Sequence, residues 1–92
     1  MQTLQLKPQH QDSVIGQILK MKALTEYYYN QVAPNISKMQ NWEQKEYMSA
    51  HSANVAELER LEKYIIEHEA LFNELLFEYG YTVTTFLAKF IK

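Results

Sequence analysis

The side chains with the greatest capacity for chemistry in this 92-residue chain are its three histidines and eleven carboxylates. Imidazole and carboxylate groups together can bind a metal ion or transfer protons. On a helix, however, His51 and His68 have no histidine or carboxylate three or four residues away, where a second ligand would have to lie. No HExxH or ExxH pattern supports a site either. We therefore expect neither a metal site nor a bound cofactor.

Motifs for nucleophilic catalysis and phosphate binding are also missing from the sequence. The chain has no cysteine, so it has no thiol nucleophile, and its two isolated glycines cannot form a phosphate-binding loop. Its serines have no neighbouring base at a spacing that would activate them. We therefore predict no catalytic residues and no enzymatic activity. The alternative is an active site that forms only between subunits.

Three consecutive tyrosines, Tyr27–Tyr29, cannot all face a core, because consecutive helical residues fan over about 200°. Tyr28 continues the apolar stripe, whereas Tyr27 falls on the opposite side, in line with Gly16 and Lys20. This line predicts a groove of small residues with one cation and one phenol, which would suit a protein partner or a nucleotide. The alternative is an exposed tyrosine without a partner.

The single tryptophan, Trp42, follows the turn expected at Pro34 and stands near the start of a second predicted helix. A tryptophan at such a position either packs on the end of a bundle or anchors a partner. We therefore predict Lys20, Tyr27 and Trp42 as partner-binding residues.

The segment from 54 to 79 has apolar residues on two sides of a predicted helix. Its main stripe alternates four- and three-residue steps, as coiled-coil core positions do, through Leu58, Leu61, Ile65, His68, Phe72, Leu75 and Tyr79. Ile66, Ala70 and Phe77 fall almost opposite. Because a peripheral bundle helix needs only one apolar face, this helix is either central in a bundle or meets a second chain. We predict a homo-oligomer, dimer or higher, with these three residues and His68 at its interface. His68 is expected to be partly buried, so that acid would loosen the packing.

The outer elements follow from apolar spacing and from helix caps. A helix is predicted over 12–32, capped by Asp12 and ended by Pro34. It follows an extended N-terminal arm over 1–11, because Pro8 disfavours helical geometry in the residue before it. A last short helix is predicted over 82–91, after a stop at Gly80.

The stretch from 36 to 79 contains no glycine or proline. As one helix it would be roughly 60 Å long, although a compact domain of this size has a radius of gyration of only ~12 to 13 Å. We favour a break within 49–54, where Asn54 and Glu57 form a capping box, which gives helices over 36/41–50 and 54–79. The alternative is one long helix over 36–79.

Composition sets the class of the protein. With 47% hydrophobic residues but only two glycines and two prolines, residues 1–92 are expected to form a single all-α domain, a small bundle of three to four helices. A net charge of −2 argues against duplex nucleic acid as a partner. No apolar run approaches the ~20 residues that span a bilayer, and no signal peptide is evident. Since the chain also lacks cysteine, a cytoplasmic location is expected.

These observations favour a protein that acts by stoichiometric binding. We expect an accessory regulator or inhibitor of a larger protein, homo-oligomeric and without enzymatic activity. The alternative is an oligomer that sequesters a small anionic ligand, such as a nucleotide, at a subunit junction through Lys20 and tyrosines. A purely structural subunit is a third interpretation.

Overall fold

Residues 4–92 are described by a computed structural model, and within that range the chain forms four α-helices and no β-strand. The helices are α1 (Val14–Tyr27), α2 (Asn41–Glu67), α3 (Glu69–Phe77) and α4 (Val83–Phe86). Short 3-10 segments lie at Pro8–His10 and Ala33–Lys38, and π-helical turns extend α1 and α4 over Tyr28–Val32 and Leu87–Ile91. The predicted all-α bundle of three to four helices is confirmed. No helix in the described part of the chain is long and apolar enough to cross a membrane.

The first helix begins at a serine cap and ends near the predicted residue. Ser13 has extended backbone angles, and its Oγ accepts a hydrogen bond from the Gly16 N–H at 3.4 Å. The cap is therefore one residue later than the predicted Asp12. The helix, with its π-helical turn, continues to Val32. A 3-10 segment that contains Pro34 begins at Ala33, because proline lacks the N–H that a longer α-helix would need.

The predicted break within 49–54 is wrong, because α2 runs through this segment without interruption for 27 residues. Alanine is the best helix former, and the segment has neither glycine nor proline to stop the helix. The interruption lies instead at His68, whose φ of −115° and ψ of 41° are not helical. Residues 41–77 are thus nearly the single long helix of the alternative prediction, with one bend.

The hydrophobic core lies at one end of the molecule. It joins the first half of α1, the last part of α2, α3 and the C-terminal segment, and it includes Leu6, Ile15, Ile18, Leu58, Leu61, Ile65, Phe72, Leu76, Val83, Phe86, Leu87, Phe90 and Ile91. Four of the predicted stripe positions are buried there. After the bend, Leu76 rather than Leu75 is fully buried, because α3 no longer continues the register of α2.

The molecule is elongated, with principal extents of 46 × 23 × 23 Å and a radius of gyration of 15.1 Å. A compact chain of this length would have a radius of gyration of about 12 Å. The reason is that α2 has no buried residue before Leu58, so its first half projects beyond the core. We call residues 24–57 the distal end.

The C-terminal segment returns to the core through a tight stop after α3. Gly80 has a φ of 79°, in the left-handed region that favours glycine, and the Tyr81 N–H donates to the Leu76 carbonyl at 3.2 Å. Thr82 then caps α4, since its Oγ1 accepts from the Thr85 N–H at 3.2 Å. The stop predicted at Gly80 and the helix start at Thr82 are confirmed.

The N-terminal arm packs back onto the core. The arm predicted as extended over 1–11 is not extended throughout, because Pro8–His10 form a 3-10 turn. Residues 4–7 have no regular structure, and Leu6 is buried; residues 1–3 of the predicted arm lie outside the described residues. The Lys7 N–H donates to the Tyr79 hydroxyl at 3.0 Å, and the same hydroxyl lies 2.6 Å from His10 Nδ1. The Lys7 ammonium donates to Glu78 Oε2 at 2.8 Å, which lowers the pKa of Glu78 and raises that of Lys7. Tyr79 is the centre of this attachment.

Replacement of Tyr79 with phenylalanine is expected to lower the free energy of unfolding by about 0.5–1.5 kcal/mol, because the Lys7 N–H and the His10 ring lose their shared partner. The ring itself would stay in place against the core. Urea denaturation followed by circular dichroism measures the change. Tyr81→Phe is the matched control, and equal effects of the two substitutions would contradict this role for Tyr79.

Candidate protein-binding surface

The most exposed aromatic side chain of the distal end is Trp42, in the first turn of α2, with 62% of its surface accessible. Its indole Nε1–H donates to Gln40 Oε1 at 2.6 Å. Gln40 is also the residue before the helix, and its backbone N–H donates to Glu43 Oε1 at 3.4 Å. The edge of the indole ring is therefore fixed, while its face remains free.

The turns of α2 that follow Trp42 complete a cavity around it. Helical spacing places residues four and eight positions further along the chain on the same face. The cavity has a volume of about 370 Å³ and is lined by Trp42, Glu43, Glu46, Tyr47 and Ala50. It combines two aromatic rings with two carboxylates.

A second cavity, of about 90 Å³, adjoins the first and extends the surface onto α1. Tyr47 and Ala50 line both cavities, and the smaller one reaches Leu24 and Tyr27 across the helix pair. Tyr27 and Trp42 therefore belong to one continuous surface. We call this surface, made of Leu24, Tyr27, Trp42, Glu43, Glu46, Tyr47 and Ala50, the aromatic surface.

The two helices of the distal end are joined by a stack of rings beneath this surface. Tyr28 lies parallel to His51, with 3.9 Å between ring centroids and 9° between planes, and Tyr29 meets the same imidazole edge-on at 4.9 Å. His51 Nδ1 is buried and has no hydrogen-bond partner among residues 4–92. Tyr28 thus faces α2, as predicted, while Tyr27 points outward with 59% exposure.

The described cavities around Tyr27 do not include Lys20. One is the cavity shared with Tyr47, and another, of about 300 Å³, is lined by Ala23, Glu26, Tyr27, Asn30 and Gln31. The predicted groove is also filled at Gly16, where an added Cβ would lie 2.8 Å from the Gln11 carbonyl carbon and against its oxygen. The absent side chain of Gly16 makes room for the chain's own loop, so that end of the groove is not free to bind a partner.

The predicted interface residues lie at the core end, on its outer side. Ile66 is 50% exposed, Phe77 is 82% exposed, and Ala70 is also exposed. Ile66 lines a cavity of about 340 Å³ with Glu69, Val83, Thr84, Leu87, Ala88 and Lys92. The two ends of the molecule therefore carry separate apolar surfaces.

The expectation that His68 is partly buried is wrong. The bend in the helix falls at this residue, and its side chain is exposed. Its ring stacks on Tyr64 at 4.4 Å, and Nδ1 lies 3.0 Å from the Tyr64 carbonyl oxygen.

The sequence analysis does not predict Glu46 and Tyr47 as site residues, although they stand four and five residues after Trp42 on one helical face.

Within residues 4–92, no group of three or more histidines and carboxylates is arranged to hold a metal ion. The chain matches no family model, and neither a curated protein nor a solved structure matches it.

Proposed function

We propose that the chain is a non-enzymatic protein-binding module that binds a larger protein through the aromatic surface and regulates or inhibits it. The observation that carries this proposal is the grouping of Tyr27, Trp42 and Tyr47, which are 59%, 62% and 43% exposed around joined cavities. The helices that carry them add almost nothing to the core at this end. We propose a cytoplasmic location, because a chain without cysteine suits a reducing compartment.

Tryptophan and tyrosine are the residues that most often dominate the energy of protein–protein binding. Three such rings, about half exposed, leave roughly 300 Å² of aromatic surface accessible at ~200 Å² per ring. Single patches of roughly 300–600 Å² on a monomer are often functional. Leu24 and Ala50 extend the patch between the rings, so a partner could bury a contiguous apolar centre.

Capture from the native lysate on immobilised protein, at two salt concentrations, tests this function. We expect one near-stoichiometric protein. Compared with the free protein, footprinting of the complex by oxidation should then protect Tyr27, Trp42 and Tyr47 and leave the reactivity of Phe77 unchanged. Recovery of a partner that protects Phe77 instead would contradict the proposed surface.

The small-anion alternative makes a different prediction. Glu43 and Glu46 line the larger cavity, and carboxylates there favour a cationic over an anionic ligand. We therefore expect a panel of nucleotides to leave the melting temperature unchanged, since only a ligand that binds the native state raises it. A rise that grows with nucleotide concentration would favour the sequestering oligomer over protein binding.

Self-association is the second part of the proposal, with Ile66, Ala70 and Phe77 at the interface. Phe77 is 82% exposed in the single chain, so its replacement with serine is expected to change the free energy of unfolding by less than about 0.5 kcal/mol at protein concentrations where the chain is monomeric. The same variant should shift the sedimentation coefficient towards that of a monomer. An unchanged oligomeric mass in Phe77→Ser would remove this residue from the interface.

A further inference from the structure

We propose that the cavity beside Trp42 binds an arginine side chain of the partner protein. This inference rests on the proposed function and specifies the chemistry of the partner. The cavity is large enough for such a side chain, at about 370 Å³, and is open to the surface through the exposed face of Trp42.

The aromatic rings supply the first part of the recognition. A guanidinium group is planar and weakly hydrated, and it stacks on aromatic faces, with tryptophan the strongest partner. The hydrogen bond from Nε1 of Trp42 to Gln40, at 2.6 Å, holds the indole in one orientation before binding. Tyr47, on the next turn of α2, lines the same cavity and provides a second ring.

The carboxylates supply the charge. Glu43 and Glu46 line the cavity together with the two rings. Glu43 accepts one hydrogen bond from the Gln40 N–H, and within residues 4–92 Glu46 has no ion pair. A carboxylate binds guanidinium through two parallel hydrogen bonds, which selects arginine over lysine. Two full negative charges also outweigh the partial positive charge, about half a unit, at the start of α2.

The chain's own arginine does not fit this role. Arg60 is the single arginine of the sequence, and its Nε and Nη2 donate to the two oxygens of Glu57 at 3.0 and 2.5 Å. A second copy would have to break this pair before its guanidinium could enter the cavity. The favoured occupant is therefore an arginine of a different protein.

The fluorescence of Trp42, the single tryptophan, reports directly on this cavity. Purified protein is titrated in low salt with N-acetyl-arginine amide and with N-acetyl-citrulline amide, which has nearly the same shape but no charge. We expect a saturable change with the arginine compound and at least about tenfold weaker binding of the citrulline compound, about 1.4 kcal/mol. The Glu46→Gln substitution should weaken the binding of the arginine compound by a similar factor. Glu59→Gln, an exposed glutamate elsewhere on α2, is the matched control and should have no effect.

Equal binding of the two compounds, or an unchanged titration in Glu46→Gln, would overturn the proposal. If Glu46→Gln instead lowers the oligomeric mass, the cavity belongs to a second copy and the proposal is also wrong. The broader function is tested separately, by capture. If Trp42→Ala no longer captures the partner but Glu46→Gln still does, the proposed protein-binding function stands and the proposed binding of an arginine side chain is wrong.

Discussion

Replacement of Phe86 with alanine is expected to lower the free energy of unfolding by about 3–5 kcal/mol. Phe86 has no accessible surface and lies 5.6 Å, centroid to centroid, from Phe90. It belongs to the one core cluster, which α1, α2, α3 and the C-terminal segment share. A cavity at this place removes contacts from all of them, and a domain of this size has only about 5–15 kcal/mol of stability in total.

Urea denaturation followed by circular dichroism measures this loss. Phe77→Ala provides a matched control, because the same side chain is removed at a position with 82% exposure in the single chain, and at protein concentrations where the chain is monomeric it should change stability by less than about 0.5 kcal/mol. A Phe86→Ala variant as stable as the control would show that the core does not depend on the C-terminal segment.

Replacement of Trp42 with alanine is expected to weaken partner binding by about 30- to 1000-fold, the range of a binding hot spot. The change should leave the free energy of unfolding within about 0.5 kcal/mol of the original, because Trp42 is 62% exposed and its hydrogen bond to Gln40 lies at the surface. We therefore expect the side chains that determine partner binding and those that determine stability to lie at opposite ends of the molecule.

Titration calorimetry with the captured partner gives the dissociation constants. Leu71→Ala is the matched control, since Leu71 is 59% exposed on α3, at the other end. A Trp42→Ala variant that binds as well as Leu71→Ala would place the contact outside the aromatic surface.

Much of the core could be predicted from the sequence, because it depends on local spacing. The four- and three-residue steps from Leu58 to Ile65 identified the buried face of α2, and Gly80 marked the end of α3. The helix break could not be placed in the same way. The capping box of Asn54 and Glu57 suggested a break within 49–54, but Tyr28 stacks on His51 there and the helix continues. His68, whose stripe position suggested a core residue, is instead the bend.

The candidate site was partly predictable for the same reason. Residue type singled out Tyr27 and Trp42, and both are exposed. Their connection through Tyr47 depends on how α1 packs against α2, which is a tertiary property. Lys20 and Tyr27 lie on the same face of α1 by their spacing, but residues on one helical face need not line the same cavity. The position of Glu46 beside Trp42 could be predicted from their four-residue spacing. Its role could not, because a lone glutamate on a helix ordinarily indicates only a solvated face.

The most direct test of the aromatic surface compares capture by wild-type, Trp42→Ala and Phe77→Ser chains at equal loading, with the melting temperature of each measured in parallel. We predict that Trp42→Ala loses the retained protein while its melting temperature stays unchanged, and that Phe77→Ser still retains the protein. Full retention of the partner by a folded Trp42→Ala chain would contradict the account.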